Sequence, residues 1–221
     1  MSGPTRRRGP GRPPGSDSAE TRLKILHSAR EVFSTVGFDQ ASLKQIAEDA
    51  GLTRNAIANY YSNKMDLYLA ALASVQEVAV ERIINRASAV ERPVHRRIMT
   101  LVETATEFGW TDRTFVRFFI TATVDATRHP ELRDHALLPL QTAREFVRET
   151  LDTARRNGDI EPDVDTEAIT QFVGDLLWGL AMDIGFYTDE ERMRRTVRSV
   201  DRLLSAALVP APAGVPADGA T

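Results

Sequence analysis

Residues 42–59 read SLKQIAEDAGLTRNAIAN. Ser42 followed by Gln45 is a capping-box pattern, so the stretch opens a short helix with Leu43, Ile46, Ala47 and Ala50 on its apolar face. Gly51 stops that helix, and Thr53 caps a second short one expected to run to about Tyr61. Two short helices crossing steeply need three things: a small residue at the crossing, a left-handed turn residue and an apolar anchor on the second helix. Ala47, Gly51 and Ile57 supply them in that order. Only glycine enters the left-handed region without a steric cost of roughly 1–2 kcal/mol. The pattern therefore predicts a helix-turn-helix whose second helix, Thr53 to Asn59, presents its first residues to base edges in a major groove.

Working outward, Asp17 with Glu20 is another capping box, followed by Leu26, Ala29, Val32, Phe33 and Val36 at helical spacing up to Gly37. Asn63 with Asp66 starts a fourth, longer helix through Leu67, Ala70, Ala71, Val75 and Val78. The stretch TRLKILHSAREVFSTVGFDQASLKQIAEDAGLTRNAIANYYSNKMDL, residues 21–67, resembles the N-terminal domain of TetR-family repressors. The resemblance implies that Ser42 and Lys44 meet phosphates, that Thr53, Arg54 and Asn55 approach bases, and that Tyr60 and Lys64 clamp the DNA backbone. Asn59 ends the same recognition helix, and Lys64 sits where a helix dipole favours anions. Two positions depart from the family pattern, which usually has glycine at Asn55 and tyrosine at Ala58. Asn55 offers a donor and acceptor pair suited to adenine. Tyr61 replaces the usual phenylalanine and reads as a core residue.

Residues 1–16, MSGPTRRRGPGRPPGS, are Gly/Pro-rich and carry four arginines and no acid, so they read as a basic arm unable to hold a helix. Arg12 lies in a Gly-Arg-Pro core that partly resembles an AT-hook, and with Arg6, Arg7 and Arg8 it is a candidate for the minor groove. The net charge of the chain is -3, yet residues 1–66 carry a net +3 and the remainder -6. A basic head on an acidic body suits a protein that touches phosphates with one end. With no cysteine, disulfides, thiol catalysis and thiolate metal sites are excluded. No apolar run spans a bilayer and the N-terminus lacks a signal-peptide pattern, so a cytoplasmic location away from membranes is expected.

Beyond residue 66, helix signals recur at Pro93, at Asp112, after His129-Pro130 up to Asn157-Gly158, over 165–186, and from Asp189 to Ala207. Pro139 is expected to kink its helix. No alternating strand pattern is present, so the expected fold is all-α: about nine helices in an N-terminal three-helix helix-turn-helix domain and a larger C-terminal bundle. The expected domains are the arm 1–16, a DNA-binding domain 17–66, a ligand-binding and dimerisation domain 67–209, and a disordered tail 210–221.

Aromatic residues are frequent in the C-terminal part, and Phe115, Phe119, Phe172 and Trp178 are the candidates to line an apolar ligand pocket. The TetR resemblance implies that the last two helices form a four-helix interface in a homodimer. Phe172, Leu176, Leu180, Ile184, Val197, Val200 and Leu204 are then its candidate residues. Gly174, Gly179 and Gly185 would permit close helix approach, and Asp175 and Asp183 need partners, expected across the dimer. His129 and His135 are badly spaced for a metal site, no cofactor is expected, and no phosphate loop, nucleophile elbow or His-Glu metal motif marks an enzyme. The function expected is a regulator, acting as a repressor, that binds palindromic double-stranded DNA as a dimer and is released by a small molecule. The alternative is a DNA-binding repressor without an effector.

Overall fold

The computed structural model describes residues 14–187 and 189–208, with side chains from residue 18 onward. The elements are α1 (Pro14–Gln40), α2 (Leu43–Asp49), α3 (Arg54–Ala58), α4 (Lys64–Val78), a π-helical segment (Ala79–Ile84), α5 (Asn85–Ser88), α6 (Val94–Thr111), α7 (Arg113–Asp125), α8 (Arg133–Asn157), α9 (Thr166–Phe186) and α10 (Glu190–Leu208). Counting the run from Lys64 to Ser88 as one, nine helices and no strand occur among the described residues, which is the all-α fold expected. None of these helices is long and apolar enough to cross a membrane. The described chain divides into two compact units between Ala71 and Leu72, five residues beyond the boundary expected from sequence.

Local chemistry accounts for most helix starts. Ser42 accepts from the Gln45 amide while the Gln45 side chain accepts from the Ser42 amide, the complete capping box. Thr53, Asn63, Asp112, Asp165 and Asp189 each accept from the amide three residues on, at 2.9–3.1 Å. Helix α1 begins at Pro14, so three residues expected in the arm are helical; proline suits a first turn, where its missing N–H would have no partner. Within α1, Gly37 leaves helical geometry at φ 74° and ψ 176°, the expected break, but a last helical turn follows to Gln40.

In the first unit, the turn after α2 closes with two bonds: Leu52 N–H to the Ala47 carbonyl at 2.8 Å and Gly51 N–H to the Glu48 carbonyl at 3.1 Å. This is the Schellman arrangement, and it places Gly51 at φ +61°. Ala47 and Ile57 are buried beside Phe33, Ile25 and Ile46. Tyr68 receives Phe33 and Phe38 edge-on, with ring centroids 4.6 and 5.1 Å away. Tyr61 is buried, as a core residue should be, and its hydroxyl accepts from Arg22 Nε at 3.4 Å.

Lys64 differs from its expected role. Its ammonium donates to the carbonyls of Phe38, Asp39 and Ala41 at 2.5, 3.0 and 3.0 Å and lies 4.5 Å from the Phe38 ring centre. All three of its N–H bonds are thus directed at main chain where α1 ends, a negative helix terminus that a cation stabilises.

The second unit is built around α6 to α9, with α10 packed on α6. Met193, Val200, Leu204 and Leu208 form the buried seam of α10. Arg96 on α6 pairs with Glu103 of its own helix at 3.3 Å and joins α6 to α10 through Asp201 at 3.4 Å. Its guanidinium is held above its ordinary range, first by the hydrogen bonds it donates to Glu103, against the opposing effect of burial. Helix α8 runs through Pro139 and ends at Gly158, φ 73°.

Gly51→Val is expected to lower the stability of the first unit by about 1–2 kcal/mol, because a β-branched residue is strained at positive φ; a urea melt of the full chain measures it. Lys64→Met should cost roughly 2–3 kcal/mol, the magnitude of a lost charge-assisted hydrogen-bond set. Lys44→Ala, at a side chain 78% exposed, should leave the same melt unchanged.

Candidate nucleic-acid interface and apolar cavity

The capped turn leaves the start of α3 facing solvent. Thr53 spends its oxygen on the Ala56 amide at 3.1 Å, while Arg54 and Asn55 in the first turn are exposed. Asn59 closes the helix as its C-cap and is exposed, and Tyr60 is half-buried. Helix α3 therefore ends at Ala58, three residues short of the expected Tyr61. On α2, Lys44 is exposed and lies 3.7 Å from Glu48, an i,i+4 pair with little hold in water. Ser42 is half-buried, and its hydroxyl takes part in the capping box. Arg54, Asn55, Asn59 and Lys44 are thus borne on two helices fixed to each other by the Gly51 turn, whereas Lys64 is bonded inward. Arg6, Arg7, Arg8 and Arg12, like the tail from residue 209, lie outside the described residues.

The second unit holds a partly open cavity of about 100 Å³ among five helical segments. Val75, Ala79 and Ile83 come from α4 and its π-helical extension, Leu101 and Thr106 from α6, and Leu140 from α8. Phe115 and Phe119 of α7 and Trp178 of α9 also line it, so three of the four expected pocket aromatics meet at one cavity. Phe119 and Trp178 stand edge-to-face at 5.5 Å. The fourth, Phe172, is elsewhere: it is 45% exposed on the opposite face of α9.

The expected interface residues differ in their burial within the single chain. Leu180 and Ile184 are buried within their own subunit and line the cavity, and Val200 and Leu204 are buried in the α10 seam, with Val197 half-buried on the same side. The helical period places Phe172, Leu176, Gly179 and Phe186 on one outward stripe of α9. Phe186 is 71% exposed, and Leu203 on α10 is 63% exposed. Sequence reasoning missed Phe186 and Leu203 as surface residues because each belongs to an apolar pattern that also serves the core. Gly174 is crowded by Arg144 and Gly185 by Ile120, but a Cβ on Gly179 would meet nothing within 4 Å. Asp175 and Asp183 find partners within the chain, Arg144 at 2.9 Å and Arg192 at 3.5 Å. Among the described residues no group of His, Asp and Glu could hold a metal ion.

Two family models match the chain: bacterial regulatory proteins of the tetR family over residues 25–71, and a tetracyclin repressor-like C-terminal domain over residues 95–200. The HTH-type transcriptional repressor AcnR of Corynebacterium jeikeium is 32% identical over 166 residues, 75% of this chain and 82% of that protein. The HTH-type transcriptional regulator UidR of Escherichia coli K12 is 27% identical over 170 residues, 76% of this chain and 84% of that protein. Among solved structures, Salmonella enterica GusR superposes with a TM-score of 0.68 at 20% identity, covering 86% of this chain and 95% of that one; at this identity the likeness speaks to the fold alone. A helix-turn-helix with an exposed α3, a helical second unit and these matches together place the chain in the TetR family of transcriptional regulators, a family of DNA-binding proteins and not of enzymes.

Proposed function

We propose that the protein is a repressor that binds a palindromic operator as a homodimer and is released when a small molecule enters the second unit. The observation that carries the DNA part is the α2–turn–α3 unit, capped at both helices, with Arg54 and Asn55 exposed in the first turn of α3. That is where a recognition helix presents side chains to base edges. Arg54 suits guanine and Asn55 adenine, each by a two-point contact. The lined cavity supports an effector over the alternative of a repressor without one, since a bundle needed only for dimerisation has no use for empty space. Ligand would favour a dimer whose recognition helices no longer match consecutive major grooves about 34–36 Å apart.

The outward stripe of α9 supports the dimer. Phe172 and Phe186 expose apolar surface there, and Gly179 combines a helix-weakening residue with open space at its Cα. Glycine in a helix costs about 1 kcal/mol against alanine, a cost that close approach of a second helix would offset.

Selection of bound duplexes from a random pool tests the reading, followed by affinity for the winner and a scramble at two salt concentrations. A palindromic winner held far more tightly than the scramble is expected; no enrichment would overturn it. Asn55→Ala should lose discrimination worth about 1–3 kcal/mol at one base pair per half-site, and uniform weakening on every sequence would argue against base contact. Gly179→Arg should leave the helical signal intact and convert the dimer to monomer in sedimentation, since the new side chain has room within the subunit and none in a close helix pair.

A further inference from the structure

The cavity wall prescribes what can occupy it. No charged side chain lines it. Its one hydroxyl, on Thr106, is buried and donates to the Val102 carbonyl at 2.7 Å, so only its lone pairs remain for a ligand. The arginines near wall residues have a terminal nitrogen bonded elsewhere, while the Nε of Arg113 and of Arg144 is buried without a partner. Arg113 donates to the carbonyls of Ile184 and Tyr187 at 2.7 and 2.8 Å, capping the end of α9. Arg144 is paired with Asp175 at 2.9 Å. An ion entering this space would lose hydration against a wall that itself carries no counter-charge. The aromatic surfaces favour a ring: Phe119 meets Trp178, and Phe115 is held edge-on by Phe108 at 4.8 Å. The free volume of about 100 Å³ is smaller than the roughly 150 Å³ of an apolar cavity that holds benzene, and because the space is partly open a single ring can extend beyond it.

We infer, resting on the ligand-responsive reading above, that the effector is an uncharged, chiefly hydrocarbon molecule about the size of one substituted ring. Any hydroxyl or N–H it carries donates to Thr106. Four probes that share a body and differ in the head test this on the full chain by calorimetry: ethylbenzene, 2-phenylethanol, phenylacetate and 2-phenylethylamine. Quenching of Trp178 in a Trp110→Phe variant gives a second readout at the cavity itself.

The two neutral probes are expected to bind at least tenfold more tightly than either ion at neutral pH. Thr106→Val should weaken 2-phenylethanol severalfold and leave ethylbenzene unchanged, a difference that mere loss of folding would not produce. Equal or tighter binding of phenylacetate or 2-phenylethylamine overturns the assignment, as does the absence of binding by all four. Equal effects of Thr106→Val on both neutral probes overturn the role of Thr106. Neutral probes that bind yet leave operator affinity unchanged would sustain the ligand class and instead overturn the ligand-responsive reading.

Discussion

The ammonium of Lys64 holds together the part of the molecule that reads DNA. Its three bonds to Phe38, Asp39 and Ala41 gather the last turn of α1, the link to α2 and the first residue of α4 around one cation. Three carbonyls at a helix end would otherwise face a half-buried space, and an unsatisfied buried carbonyl costs about as much as a lost hydrogen bond. With that corner fixed, α2 enters at a set angle from its Ser42 cap, and the Gly51 turn sets α3 against α2. The exposure of Arg54 and Asn55 follows from bonds that neither residue makes.

The helix-turn-helix was legible in the sequence because its determinants are local. A capping box, a left-handed glycine and an apolar anchor act over three to six residues, and each is visible in one reading of residues 42–59. Lys64 was not legible in the same way. Its partners lie 23 to 26 residues earlier, and a lysine at a helix start offers the same sequence signal whether it reaches out to phosphate or in to carbonyls. The same limit explains Tyr61, whose hydroxyl meets Arg22 across 39 residues.

In the second unit the positions of the helices were legible from their caps, but the faces of α9 were not. Apolar residues surround this helix: Val173, Leu180 and Ile184 point into the subunit while Phe172 and Phe186 point out. A stripe at spacings of three and four identifies a helix and cannot say which of two apolar sides belongs to the subunit's own core. On α10, Val200 and Leu204 are buried in the seam against α6 while Leu203 is exposed, so here too one apolar pattern serves two faces. The π-helical segment that lends Ala79 and Ile83 to the cavity has no sequence signature among those used, since its i→i+5 bonds need only one extra residue per turn.

Two features of the second unit are unfavourable for an isolated subunit. The partly open cavity leaves the side chains that line it without contacts that a filled core would give. Gly179 forfeits about 1 kcal/mol of helix propensity at a position where its own subunit leaves room for a side chain. Filling a cavity or replacing an exposed helical glycine commonly stabilises a natural protein by about 0.5–2 kcal/mol. Both losses occur on α9, one on the side that lines the cavity and one on the side that faces out. A ligand on the first side and a second copy on the second would each supply contacts that the single chain lacks. Binding on either face could then bias one helix, which is the physical requirement for coupling an effector site to the geometry of a dimer.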